Sequence, residues 1–464
     1  MRKFLLMLVY CCLQAYDCGA NEQEVDSSKR STSSENNISD DADKNDSNFF
    51  RTPSYKNIYD QVAKQLAGLS DDLSSADHAN FISEKWNSLR ENSLLPISNW
   101  AQEYLTTFVG SNQTVFYPFG GPDIAHAIGF FPTVQNYVLV GLEPIGNFDS
   151  IRNAVQSEPM LASIRRAISY YLQHGFFITH DMMTHLSNKN TKGGLCLILL
   201  ELSKLGFTVD YVENISLNSE GMEVARRKDM LNCVKITFHG EDANFFRNVY
   251  YLRVDLQNSR SDRAIGLKKF LKRAPFVTLV KSASYAMHDL SFSKIRDFIL
   301  SNTKLLLQDD SGIPFRYFNS SKWEKHIFGE YTNPTLKVFQ KNKQADLADY
   351  YAAHEKIEIH FKMGYGYGQE RPNLLLAVPM LIEIPVARAE ARSNFSQKTP
   401  DFVTLAHNLM QKAGEGGCSC KRKTRPPQLP PIPPVEERFL LPIPPDTIIL
   451  LAEPPLKNGR TFLR

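Results

Sequence analysis

The chain lacks most of the patterns that fix a chemistry by themselves. It contains no complete G-x-G-x-x-G, no G-x-S-x-G, no H-E-x-x-H and no D-x-D-x-D-G. Their absence removes the standard dinucleotide fingerprint, the hydrolase nucleophile elbow, the zinc-protease helix and the EF-hand loop. Seven cysteines include no C-x-x-C pair, so a zinc site built on such pairs is excluded and no metal is expected. Lys and Arg number 53 against 50 Asp and Glu, a balance that excludes the strong basic footprint of a nucleic-acid binder. The N-terminal apolar run, residues 4–13, falls short of the roughly 20 residues a membrane-spanning helix needs.

What is present describes a globular chain with an export signal. Of 464 residues 42% are hydrophobic and 22% charged, with 29 Phe and 19 Tyr available for burial. That suffices for one large domain or two ordinary ones. Arg2 and Lys3, the apolar run and the small-residue site Cys18-Gly19-Ala20 are laid out like a secretory signal peptide over residues 1–20, which places the protein outside the cytoplasm, in a periplasm, an envelope or the medium. Cys18 follows Asp17 rather than a small residue, so contact with a membrane would come only through an N-terminal lipid anchor at a poorly matched site. Of the cysteines beyond the signal, Cys196 and Cys233 lie in apolar surroundings. An oxidising compartment permits a disulfide between them, and two buried thiols fit equally well.

Residues 21–50, rich in Ser, Asn and Asp, read as a disordered spacer because they cannot bury a core. Residues 51–110 form a helical subdomain, with apolar residues at helical spacing and Asp77 and Ser93 as expected caps. Residues 111–390 form a mixed α/β body. Its first part, 114–146, reads as strand, Gly-Gly-Pro-Asp turn, short helix and second strand, a Rossmann-like βαβ unit. Helices follow over 151–174 and 181–186, then a helix stopped by Gly206 and a strand over 207–212. Segments 233–238 and 249–256 alternate like antiparallel strands, and strands are expected over 276–280, 304–307 and 357–361, with an apolar run at 374–380. Residues 391–464 hold a Gly-rich linker, the basic KRKTR patch and PPQLPPIPP, a proline-rich tail suited to a spacer or to contact with an envelope partner.

Candidate ligand-binding residues fall at the ends of the expected strands. Gly120, Gly121 and Asp123 stand where a strand enters a helix and free backbone N–H groups can meet a phosphate or carboxylate. Glu143 ends the next strand at the place of a ribose-binding acid. Pro122 removes one donor, and Asp123 equally suits an N-cap. Lys281, Ser282, Ser284 and Tyr285 follow the strand over 276–280, and Asp309, Asp310 and Arg316 follow the next. The 309–314 segment equally suits an Asx turn. Ser282, Ser284, His288, His126, His180, Asp181, Asp309 and Asp310 offer the residue types of a hydrolytic triad, with no pattern that selects among them. In the 364–368 segment Tyr365 and Tyr367 offer stacking faces.

The combination FYPFGGPD, YVLVGLEPIG, LVKSASYAMH, LLLQDDSGIPFRYF and GYGYG resembles a family of exported bacterial proteins or lipoproteins, over about residues 115–376. The resemblance implies export and carries no activity, cofactor or catalytic residue with it. The expectation is an exported protein that binds an unidentified small ligand at the Gly120–Asp310 residues named above, or an envelope protein that uses its tail.

Overall fold

The computed structural model describes residues 57–70, 76–186, 193–361, 365 and 372–380. The signal, the spacer and the linker and tail over 391–464 lie outside the described residues. The helical region comprises α1 (Ile58–Leu66), α2 (Ala76–Leu89), a π-helical turn (Arg90–Leu94) and α3 (Leu95–Tyr104). Asn57 caps α1 by accepting from the backbone N–H groups of Tyr59 and Asp60. Asp77 lies inside the first turn of α2, and Ser93 lies in the π-helical turn, so neither acts as the cap the sequence suggests. The π turn lets α2 run into α3 without a break, which leaves no helix start for Ser93 to cap.

The body then runs β1 (Thr114–Tyr117), α4 (Ile124–Phe130), β2 (Asn136–Gly141), α5 (Phe148–Ala154), α6 (Glu158–His174), α7 (Thr179–His185) and α8 (Leu195–Lys204). The helix expected over 151–174 is divided because Pro159 sits in the first turn of α6 and starts a new helix there. After α8 come β3 (Thr208–Leu217), β4 (Glu223–Ala225), β5 (Leu231–His239), β6 (Phe246–Arg253), α9 (Ile265–Leu271), β7 (Phe276–Val280), α10 (Ser293–Asn302), β8 (Leu306–Gln308), β9 (Trp323–Gly329), α11 (Ala345–Ala353) and β10 (Asn373–Pro379).

These strands make one mixed sheet in the order β4-β3-β5-β6-β2-β1-β7-β8-β10-β9. The central five, β6 to β8, are parallel, and antiparallel strands flank them on both sides. The strand expected over 357–361 is absent. Ile357 makes a single bridge to Phe328 on the outer edge of β9, and the pairing goes no further.

Alternation along the strands sends side chains to two separate cores. Tyr117, Leu139, Leu279 and Leu307 face the layer of α1–α4, α6 and α8. Phe116, Val138, Val280 and Leu306 face α9–α11. Each such side chain taken fully from water contributes roughly 1.5–3 kcal/mol. The helical region shares the first of these cores with the sheet, so it is part of one layer of the body. Cys196 belongs to the first core and Cys233 to the second. Both are free thiols, and the sheet between them excludes a disulfide.

Candidate binding site at the carboxyl edge of the sheet

In the parallel centre, β1 is followed by its neighbour β2 on one side, while β7 lies on its other side and is followed outward by β8. The chain direction therefore diverges between β1 and β7. Open α/β sheets bind ligands in the crevice at such a switch point, outside the carboxyl ends of the strands. Of the loops that leave that edge, two flank the switch point: 118–123 after β1 and 281–285 after β7.

Both loops hold residues in the left-handed region that ordinary side chains avoid. Phe119 has φ 65°, Ser282 54°, Ser284 52° and Tyr285 55°. Among the described residues no other non-glycine residue has positive φ. Such a conformation costs roughly 1–2 kcal/mol per residue and persists only where neighbours over-determine it.

The neighbours are identifiable. The Ser282 N–H donates to Asp309 Oδ2 at 2.9 Å and the Ala283 N–H to Ser311 Oγ at 2.8 Å. Asp309 Oδ1 in turn accepts from the Ser311 N–H and hydroxyl, which completes the Asx turn expected there. Tyr285 donates to Asp310 Oδ2 at 2.5 Å, and Asn373 both donates to Asp310 Oδ1 and accepts from its N–H. Tyr365 spends its one proton on the Ser282 carbonyl at 3.0 Å. The Ser284 hydroxyl therefore donates to the Tyr365 oxygen at 2.8 Å. The Tyr365 ring packs against Phe176, Phe339 and Tyr285.

Lys281 ties the two loops together. Its buried ammonium lies 2.8 Å from Asp123 Oδ2 and donates to the Gly175 carbonyl. Asp123 caps α4 through the His126 N–H, and its carboxylate also accepts from His126 Nδ1 at 2.8 Å, Tyr117 at 2.9 Å and Tyr171 at 2.8 Å. Burial works against the charged carboxylate, yet His126 and Lys281 outweigh it and hold Asp123 well below the usual carboxylate range. Burial lowers His126 against the pull of the Asp123 charge; with Nδ1 on Asp123, Nε2 faces Ser93 Oγ at 3.4 Å. Glu201 is fully buried and accepts from the Ala125 N–H at 2.9 Å; burial and the Asp123 charge push its carboxyl well above the usual range.

The second carboxylate group behaves differently. Burial raises Asp309 against the donors from Ser311 and Ser282. Burial and then the Asp309 charge push Asp310 up to about 7. A cavity of about 10 Å³ lies beneath them, lined by Gln308, Phe315, Gln344 and Asn373 among others, room for about one water molecule.

Several sequence expectations change in this light. Of the donors around the Gly120–Asp123 turn expected to meet a phosphate, four are engaged internally: Gly121 N–H to the Val140 carbonyl, Ile124 N–H to the Pro122 carbonyl, Ala125 N–H to Glu201 and His126 N–H to Asp123. Glu143 is buried, accepts from Tyr251 at 3.2 Å, and faces Gly121 and Gly141. A Cβ on Gly141 would lie 2.2 Å from Glu143 Oε2. Glycine there is what admits the carboxylate. Arg316 is exposed, lies over the Tyr317 ring and approaches His288. It has no described contact with Asp123, Glu143 or Lys281. No described serine of the 281–285 loop meets a histidine, so no triad forms there: His126 pairs with Asp123 and approaches only the buried Ser93, and His288 packs on the Tyr285 ring. Tyr117, Tyr171, Glu201, Tyr251 and Asn373 join the site although no sequence pattern points to four of the five. Glu201 has a readable signal, as the lone acid in the apolar helix LCLILLELSK. Among the described residues no group of three His, Cys, Asp or Glu is placed to hold a metal.

No protein-family profile matches the chain, and no curated protein or solved structure is similar to it.

Proposed function

We propose that this is an exported bacterial protein whose β1–β7 switch point binds a small polar ligand, with β1, α4 and β2 serving as a Rossmann-like half that frames the crevice. One observation carries the reading: among the described residues, the left-handed non-glycine residues Phe119, Ser282, Ser284 and Tyr285 all fall in the two loops that flank that switch point. Strained backbone concentrates where a site has to hold groups in a fixed arrangement. The Ser282 hydroxyl is buried there without a partner, and an unmet buried donor costs about 1–3 kcal/mol until something satisfies it. The groups on offer are the hydroxyls of Ser282 and Ser284, with Asp309 and Asp310 behind them. A nucleotide phosphate is disfavoured because the first turn of α4 has spent its N–H groups.

Thermal unfolding of the full chain with panels of sugars, nucleotides and divalent metals tests the reading. A ligand at about 100 times its Kd stabilises by about 2.7 kcal/mol. The expected result is a saturable rise in Tm with a sugar or another polyhydroxyl compound, lost in Ser282→Ala/Ser284→Ala. A rise of equal size in that double variant, or no rise with any panel member, rejects the site.

A further inference from the structure

A second site is implied at the opposite edge of the sheet. Arg247 enters β6 from the loop after β5, paired with Phe238, at the amino end of the parallel strands. It is only 4% exposed. Its guanidinium carbon lies 5.3 Å from the Phe207 ring centroid and 5.2 Å from that of Phe245, and the Tyr137 hydroxyl, which donates to the Phe131 carbonyl, sits beside it. Nε and Nη1 are both buried without a hydrogen-bond partner, and no described carboxylate pairs with the head group.

This is a buried cation whose polar company is the Tyr137 phenol, with two of its nitrogens left without a partner. Contact with two aromatic faces returns roughly 0.5–2 kcal/mol, whereas a buried charge left without its partner costs about 3–5 kcal/mol. Guanidinium groups are otherwise buried against carboxylates or phosphates, whose oxygens accept from the planar fork. Phe245, itself partly exposed, lies against the guanidinium from the turn between β5 and β6.

We propose that Arg247 is the anchor of a small-oxyanion site, taking a phosphate or carboxylate oxygen on its free N–H donors between Phe207 and Phe245. The site is independent of the carboxyl-edge crevice. Its charge requirement is met by the anion, and the rings exclude water from the pair.

Titrating the full-length protein with sodium phosphate, and separately with sodium acetate, at ionic strength held constant by sodium chloride tests this. The ¹⁵N–Hε resonance of Arg247, assigned by its disappearance in Arg247→Met, is expected to shift saturably with one or both oxyanions. The Tm of the wild type should rise in parallel, and Arg247→Met should lose that rise. Phosphate without acetate identifies a tetrahedral oxyanion; both identify a general oxyanion site. A resonance that does not move, or an equal rise of Tm in Arg247→Met, overturns the proposal and leaves a guanidinium satisfied by internal water. Should Arg247→Met fail to fold, Arg247→Lys supplies the assignment and the wild-type titration decides.

Discussion

Asp123 and Asp310 are both buried, and their pKa values shift in opposite directions. Asp123 is 1% exposed and Asp310 8%, yet the first is held well below the ordinary range and the second is raised to about 7. The difference lies in the partner. Asp123 meets the Lys281 ammonium; Asp310 meets a phenol, an amide and, beside it, a second carboxylate. Burial of a carboxylate therefore has no fixed consequence here. One loop at the switch point is fastened by a charge pair, and the other by a carboxylate that burial raises to about 7.

The largest test of that contrast is Lys281→Met. Removing one partner of a buried ion pair leaves the other charge stranded, which costs about 3–5 kcal/mol. The expected loss, measured by urea unfolding, should be greatest at neutral pH. In the wild type the depressed Asp123 contributes stability that is present above the unfolded value of 3.8 and disappears as pH falls through the folded pKa. The gap between variant and wild type should therefore narrow in acid. A loss below about 1 kcal/mol at pH 7 would mean that the tyrosines and His126, and not the ammonium, keep Asp123 charged, since hydrogen bonds of that kind are of this size.

Much of this architecture is legible in local sequence and little of the pairing is. FVTLV reads as a buried strand and is β7, Phe276–Val280. The GGPD turn and the capping role of Asp123 follow from local chemistry and are there. β9 escapes a sequence reading because WEKHIFG places charged and polar residues among its apolar ones, as an outer strand does. The ion pair from Asp123 to Lys281 spans two loops far apart in sequence, and Tyr171 reaches the same carboxylate from α6. No periodicity encodes such a meeting; only the strand order, with β7 beside β1, creates it. The left-handed conformation of Ser282, Ser284 and Tyr285 is equally hidden, because none is a residue that favours positive φ.

A middle-sized effect is expected from Asp310→Asn. The folded pKa of Asp310 is raised from 3.8 to about 7, so its protonated form contributes stability that is complete below the unfolded pKa and is lost as pH rises through the folded one. Each tenfold gain in proton affinity corresponds to about 1.4 kcal/mol, which puts the loss between pH 4 and pH 7 at roughly 2–4 kcal/mol once sharing of the proton with Asp309 is allowed for. The amide of the variant cannot ionise, so its Tm should be flatter across that window. A wild type whose Tm rises from pH 4 to pH 7 by as much as the variant's would show that Asp310 is charged in the fold.

The smallest effect sharpens the same contrast. Tyr117 and Tyr285 each donate to a buried carboxylate, at 2.9 and 2.5 Å, but their targets differ in what remains when the hydroxyl is removed. Tyr117→Phe leaves Asp123 with Lys281, His126 and Tyr171, so the charge stays compensated and the cost should be about 1 kcal/mol, the net value of one such bond. Because Asp123 remains ionised far below its ordinary range, that cost should be constant between about pH 5 and pH 8. Urea unfolding of Tyr117→Phe across that window decides the matter. A cost approaching that of Lys281→Met, or one that grows with pH, would show that Asp123 depends on its full set of donors and that the ion pair alone does not hold it.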